Sequence, residues 1–223
     1  MTKYDSHSSS TNYVLEPDGN DTADGNNQLV VYSFGVSGDS TFEAALLSRT
    51  NAQIWGYDYS VNSWADQIHD EWLPRARFNR IGISGQTNLE AQPPMSTIQD
   101  LMKANGHTYI DIMKMDIEGA EFDALSSLAE YTKEQAKLNK EATPLLPIGQ
   151  LLLEIHFMKP PKGFSIPSDL TSWLEWWSSL EKLGLRAVNN EDNWIGDVRF
   201  GKPRFMEYTM INALDQQNRL FAQ

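Results

Sequence analysis

The chain has 223 residues, 18 Lys plus Arg against 30 Asp plus Glu, and a formal charge of −12. At roughly 150 residues per domain this allows one full domain with appendages and a real core. The acidic balance argues against a broad nucleic-acid surface, which needs clustered Lys and Arg. With no cysteine, disulfide scaffolds, thiolate zinc sites and cysteine nucleophiles are excluded.

No apolar run approaches the 18 or so residues needed to cross a bilayer, and the N-terminus lacks a signal-peptide core. The chain as given therefore reads as soluble with no membrane partner. A longer parent could carry an anchor or signal, and the compartment stays open.

Residues 1–28 are rich in Ser, Asn, Asp and Gly and are expected to form a flexible tail before a single domain at 29–223. From Leu29 the pattern changes to Leu29-Val30-Val31-Tyr32-Ser33-Phe34, a buried strand running into a turn at Gly35 and Gly38. A helix is predicted over Thr41 to Thr50, then a second strand from Ala52 to Tyr57, ending at Asp58. Further along, Val61 to Trp72 reads as a helix, Arg77 to Ser84 as a strand, and Thr97 to Ala104 as a helix stopped by Asn105-Gly106. Tyr109 to Asp116 is a fourth strand, Ala120 to Lys137 a helix, and Gln150 to Phe157 a fifth, continuously apolar strand. A Pro-rich loop at Lys159 to Pro167 precedes an amphipathic helix carrying Leu170, Trp173, Leu174, Trp177, Leu180 and Leu183. Its tryptophans read as core packing, with Trp176 at a flank. Two last strands, Leu185 to Asn189 and Phe205 to Asn212, have no helix between them.

Strands separated by helices need crossovers, so the fold class is α/β: a mostly parallel sheet with helices on both faces and a terminal antiparallel hairpin. Such sheets bind ligands at the carboxyl ends of their strands. After strand one come Gly35, Val36, Ser37 and Gly38, and Asp58 follows 20 residues past Gly38. That is the usual interval for an acid accepting from ribose hydroxyls. The missing third glycine disfavours a dinucleotide, whose pyrophosphate needs the full Gly-x-Gly-x-x-Gly approach. A nucleoside without phosphates fits better.

After strand four the chain reads Lys114-Met115-Asp116-Ile117-Glu118-Gly119-Ala120-Glu121. Alternation puts Lys114, Asp116 and Glu118 on one side of a strand otherwise buried on both faces, so these groups must be paired, hydrated or engaged with a ligand. Glu121 is accounted for as a first-turn acid favoured by the helix dipole. In strand five the same alternation aligns Glu154 with His156. His156 is either a satisfied core histidine or a catalyst at the ligand edge. His7 lies in the tail, His69 on a polar helix face and His107 in a turn, and none of them is a candidate. Asp116, Glu118 and His156 also permit a metal reading; with no helical His-x-x-x-His pair or tight aspartate loop, no metal is expected.

Four segments together carry a resemblance: Val31 to Gly38, Gly56-Tyr57-Asp58, Ile112 to Glu121 and Leu153-Glu154-Ile155-His156. They resemble the class I S-adenosylmethionine-dependent methyltransferases, within them the FkbM-related and methyltransferase-like 24-type branch, over about residues 29–212. The resemblance implies a Rossmann-like seven-stranded sheet in the order 3-2-1-4-5-7-6, with strand 7 antiparallel. It implies S-adenosylmethionine as cofactor, with Gly35 to Gly38 facing its methionine part, Asp58 its ribose, Tyr59 or Ile83-Ser84 its adenine, and Asp116 beside the sulfonium. Ser37 and Asp39 depart from the usual Gly-x-Gly-x-Gly.

Mechanistically, His156 or Glu118 is then the base, Asp116 orients the acceptor, and Glu154 holds His156 or pairs with Lys114. Glu154, Asn193 and Trp194 are expected to meet the acceptor, with Phe164 a further contact. The acceptor is an oxygen or nitrogen of a small molecule, or of a protein or peptide side chain such as histidine. Two rivals remain, a silent S-adenosylmethionine-binding module and an NAD-dependent oxidoreductase.

Overall fold

The computed structural model describes residues 28–157, 163–192, 204–216 and 218–221. The expected tail, Asn193 and Trp194 lie outside the described residues, apart from Gln28. Seven strands form one sheet: β1 (Val30–Phe34), β2 (Gln53–Tyr57), β3 (Ala76–Asn79), β6 (Ile110–Met115), β7 (Ile148–His156), β8 (Leu185–Asp192) and β9 (Phe205–Asn212). A two-residue pair, β4 (Gly82–Ile83) and β5 (Met95–Ser96), stands apart. The sheet order β3-β2-β1-β6-β7-β9-β8 is the expected one, with β9 antiparallel to both neighbours and the other pairings parallel.

Strand alternation sorts the core into two layers. Tyr32, Phe34, Met113, Met115, Leu151 and Leu153 pack under α2 (Ile98–Asn105), α3 (Glu121–Asn139) and α4 (Leu170–Glu181). Val31, Ile54, Ile112 and Leu152 point the other way, against Leu46 and Leu47 of α1 (Thr41–Arg49) and Leu220. Helix α2 begins at Thr97, whose side chain accepts from Asp100 N, and stops at the left-handed Gly106. Among the described residues no helix is long and apolar enough to cross a membrane.

Three local expectations are corrected. The helix expected over Val61 to Trp72 is an irregular segment, with only a short 3₁₀ turn at Asp70–Arg75. Tertiary anchors override its helical spacing: Trp64 covers Gly56, where a Cβ would lie 2.3 Å from the indole, and Ser40 Oγ accepts from Ala65 N. The strand expected over Arg77 to Ser84 breaks at Arg80, where Ile81 N turns back onto Asn79 O. Its second half pairs with β5 instead. Trp176 is the buried tryptophan of α4, 4.6 Å from the Phe122 ring, while Trp173 and Trp177 stack beside it half-buried.

Candidate active site

The turn after β1 and the end of β6 approach so closely that only glycine fits between them. A Cβ on Gly35 would lie 1.7 Å from Asp116 O, and its φ is +78°. Beyond it Ser37 takes the left-handed φ of 56°, a conformation non-glycine residues rarely adopt. That turn presents Ser37 N to Asp58 Oδ2 at 2.8 Å. Asp58 Oδ1 accepts from Ser60 N and Ser60 Oγ at 2.6 and 2.7 Å. Three bonds fix a carboxylate that offers about four lone-pair sites, leaving capacity for one more donor.

This fixed acid lies at the wall of a cavity of about 320 Å³. Tyr59, Ile83 and Met95 supply apolar surface, Asp116 and Glu118 the polar wall, and Phe164 a further wall. The break in the expected third strand explains the apolar part, because pairing β4 with β5 carries Ile83 and Met95 to the cavity. Gly35 and Ser37 also line it. Val36 is buried, Gly38 is exposed, and Ser84 Oγ donates to Gln86 O; these three are not among the lining residues. A larger cavity of about 950 Å³ lies at the opposite, amino ends of the strands, near Tyr109 and Arg219. Its polar groups serve the scaffold, with Tyr109 Oη donating to Asp215 and His107 Nδ1 bonded to Tyr32 Oη.

At the carboxyl ends of β6 and β7 the structure gathers Asp116, Glu118, Glu154 and His156, and adds a residue that the sequence pattern did not single out. Glu121 is fully buried, and its Oε1 accepts from Ile117 N and Gly119 N and bonds His156 Nδ1 at 2.8 Å. It closes the turn after β6 and holds the imidazole at once. Neither expected partnership of Glu154 forms: Glu121 orients His156, and Lys114 Nζ donates to Gly35 O at 3.1 Å. The side chain of His156 is 2 % exposed and that of Glu118 70 %. Glu118, at φ 58°, is the second left-handed non-glycine residue on the cavity wall. Strain of this kind clusters at functional sites.

Strand register places Glu154 opposite Glu207, and Glu207 opposite Glu191. Like charges directly opposite destabilise a sheet. Burial, reinforced by the neighbouring charges of Asp116 and Glu207, pushes the Glu154 carboxyl well above the usual range. Burial alone would lower the His156 imidazole, but the Glu121 hydrogen bond and the charges of Glu121, Glu154 and Asp116 outweigh it and raise its pKa.

Two curated relatives are similar in sequence: probable methyltransferase-like protein 24 of Homo sapiens, 30 % identical over 161 residues, and that of Rattus norvegicus, 30 % identical over 159. Each alignment covers 70 % of this chain and 40 % of the relative, so the chain spans less than half the length of these proteins. Among solved structures, the Methanococcus jannaschii fibrillarin pre-rRNA processing protein is 13 % identical with a TM-score of 0.43, covering 83 % of this chain and 67 % of that one. The human methyltransferase 10 domain containing protein is 10 % identical at 0.44, covering 89 % and 77 %. The Methyltransferase FkbM domain matches residues 7–187, four-fifths of the sequence, and the chain belongs to that methyltransferase family.

Proposed function

We propose that the protein transfers a methyl group from S-adenosylmethionine to an oxygen or nitrogen of a small molecule or a peptide side chain. The observation that carries this reading is Asp58, fixed by the Ser37 turn at the wall of a cavity that Asp116 and Glu118 also line. The residues present fit the cofactor. Asp58 keeps acceptor capacity for a ribose hydroxyl, Tyr59, Ile83 and Met95 offer an apolar surface to a planar base, and the volume lies within the range of ligand clefts.

Bound there, the cofactor supplies an electrophilic methyl on a sulfonium. The protein's share is mostly placement, since alignment of reacting atoms lowers such a barrier by about 7–11 kcal/mol in favourable cases. Asp116 sits at the carboxyl end of the central strand and orients the acceptor. Glu118, exposed to the cavity, takes the acceptor's proton where there is one to lose. His156 does not line the cavity, so it acts as a positioning residue behind both acids.

Transfer from methyl-labelled cofactor to lysate fractions split into protein, lipid and small-molecule pools, with S-adenosylhomocysteine quantified in parallel, tests the reading. Label in one pool with matching S-adenosylhomocysteine supports it. Cofactor binding with no product in any pool makes the chain a silent binding module. Binding of NAD in place of S-adenosylmethionine makes it an oxidoreductase.

A further inference from the structure

His156 presents its second ring nitrogen to a gap. Nε2 lies 3.8 Å from Asp116 Oδ1 and 3.6 Å from Glu118 Oε2, both beyond hydrogen-bond reach. One donor atom from each of the three residues lies within 4.8 Å of the others. A cation bound to nitrogen and oxygen at about 2.0–2.4 Å holds its ligand atoms roughly 3–4 Å apart. The observed spacing is that of donors facing a common centre.

Three further features belong with this geometry. Glu121 Oε1 fixes Nδ1 at 2.8 Å, the outer carboxylate contact that metal-ligating imidazoles almost always make. The other Glu121 oxygen is buried with no hydrogen-bond partner, so the contact is kept at some cost. Glu118 adopts its left-handed φ at the residue whose carboxylate lies closest to Nε2.

We infer that Asp116, Glu118 and His156 form a binding site for one divalent cation of borderline softness, Mn²⁺ or Zn²⁺. One imidazole with two carboxylates suits those ions better than Mg²⁺, which prefers all-oxygen surroundings. Three protein donors leave coordination positions open, and Asp116 and Glu118 line the cavity, so an acceptor oxygen can complete the set. A hydroxyl bound there loses its proton to solvent more readily, and Glu118 then serves as a ligand in place of a free base. The site would favour an acceptor with a metal-binding oxygen. The binding claim itself is independent of methyl transfer and is tested without cofactor.

The full chain, stripped with chelator and dialysed, is titrated with MnCl₂ and separately with ZnCl₂ by calorimetry, with the paramagnetic resonance of free Mn²⁺ as a second readout. One ion per chain is expected. Glu118→Gln, a change at a largely exposed side chain, and Asp116→Asn should each weaken binding by at least about tenfold, and Glu121→Gln by about 10–100-fold. Glu134→Gln, on the exposed face of α3, should leave it unchanged and so reports general attraction to an acidic surface. Failure of both ions to bind at one per chain, or binding that Glu118→Gln and Asp116→Asn leave intact, overturns the proposal. Either failure leaves the cofactor reading standing, because that rests on Asp58.

Discussion

The two ends of β6 solve the same problem in opposite ways. At the amino end Asp111 is fully buried, accepts from Val30 N at 2.7 Å and pairs with Arg219, whose Nε lies 2.8 Å from Oδ1. Burial still raises its pKa, opposed by that backbone bond and by Arg219. At the carboxyl end Asp116 meets Glu118, Glu154 and His156, with Glu207 and Glu121 close behind. A buried acid given its own cation ties the C-terminal segment to the sheet. Acids gathered with too little positive charge are a standing cost, and such costs persist where a ligand or a reaction uses them.

Arg219→Ala leaves Asp111 buried without its cation, and urea unfolding should show a loss of about 3 kcal/mol. A loss below about 1 kcal/mol would mean that the amino end is no better compensated than the other.

At the carboxyl end, Glu118→Gln should lower turnover about 100-fold with little change in the unfolding midpoint, because the side chain is largely exposed. A large loss of stability with normal turnover would make Glu118 a scaffold residue.

The acid surplus should also be visible in pH dependence measured with chelator present. Glu154 is raised from 4.5 to about 8 and His156 from 6.5 to about 9, so both bind protons more tightly folded than unfolded. Their contribution to stability is therefore complete at low pH. It falls through the window from 4.5 to about 8 for Glu154 and from 6.5 to about 9 for His156. Glu154→Gln should flatten this slope and be more stable than wild type at the alkaline end by about 1–2 kcal/mol. An unchanged slope in unfolding titrations would remove Glu154 from the account.

The smallest effect calibrates the others. Thr97→Ala removes an ordinary helix cap with no bond to the acid cluster and should cost about 1 kcal/mol, independent of pH over the same window.

What could be read from the sequence was what local pattern determines. Alternation and turn composition mark the ends of β1, β2, β6 and β7, and hence Gly35, Asp58, Asp116 and His156, because each signal lies within a few residues of its cause. Glu121 was missed for the same reason. A first-turn acid is sufficiently explained by the helix dipole, and its partner His156 lies 35 residues away. The Glu154, Glu207 and Glu191 row depends on register between distant strands, which a pattern within one strand does not carry. In the segment after Asp58 the spacing of Val61, Trp64, Ile68 and Trp72 suits a helix. Contacts of Trp64 with Gly56 and Phe78 decide otherwise. Trp176 follows the same rule, since the buried face of α4 is chosen by Phe122 on α3.

Calorimetry with S-adenosylmethionine on wild type and Asp58→Asn tests the central claim most directly. One cofactor per chain is expected, with affinity falling about 10–100-fold in the variant as a charged hydrogen-bond acceptor is lost. Equal affinity in the two proteins, or binding of NAD but not S-adenosylmethionine by the wild type, would contradict it.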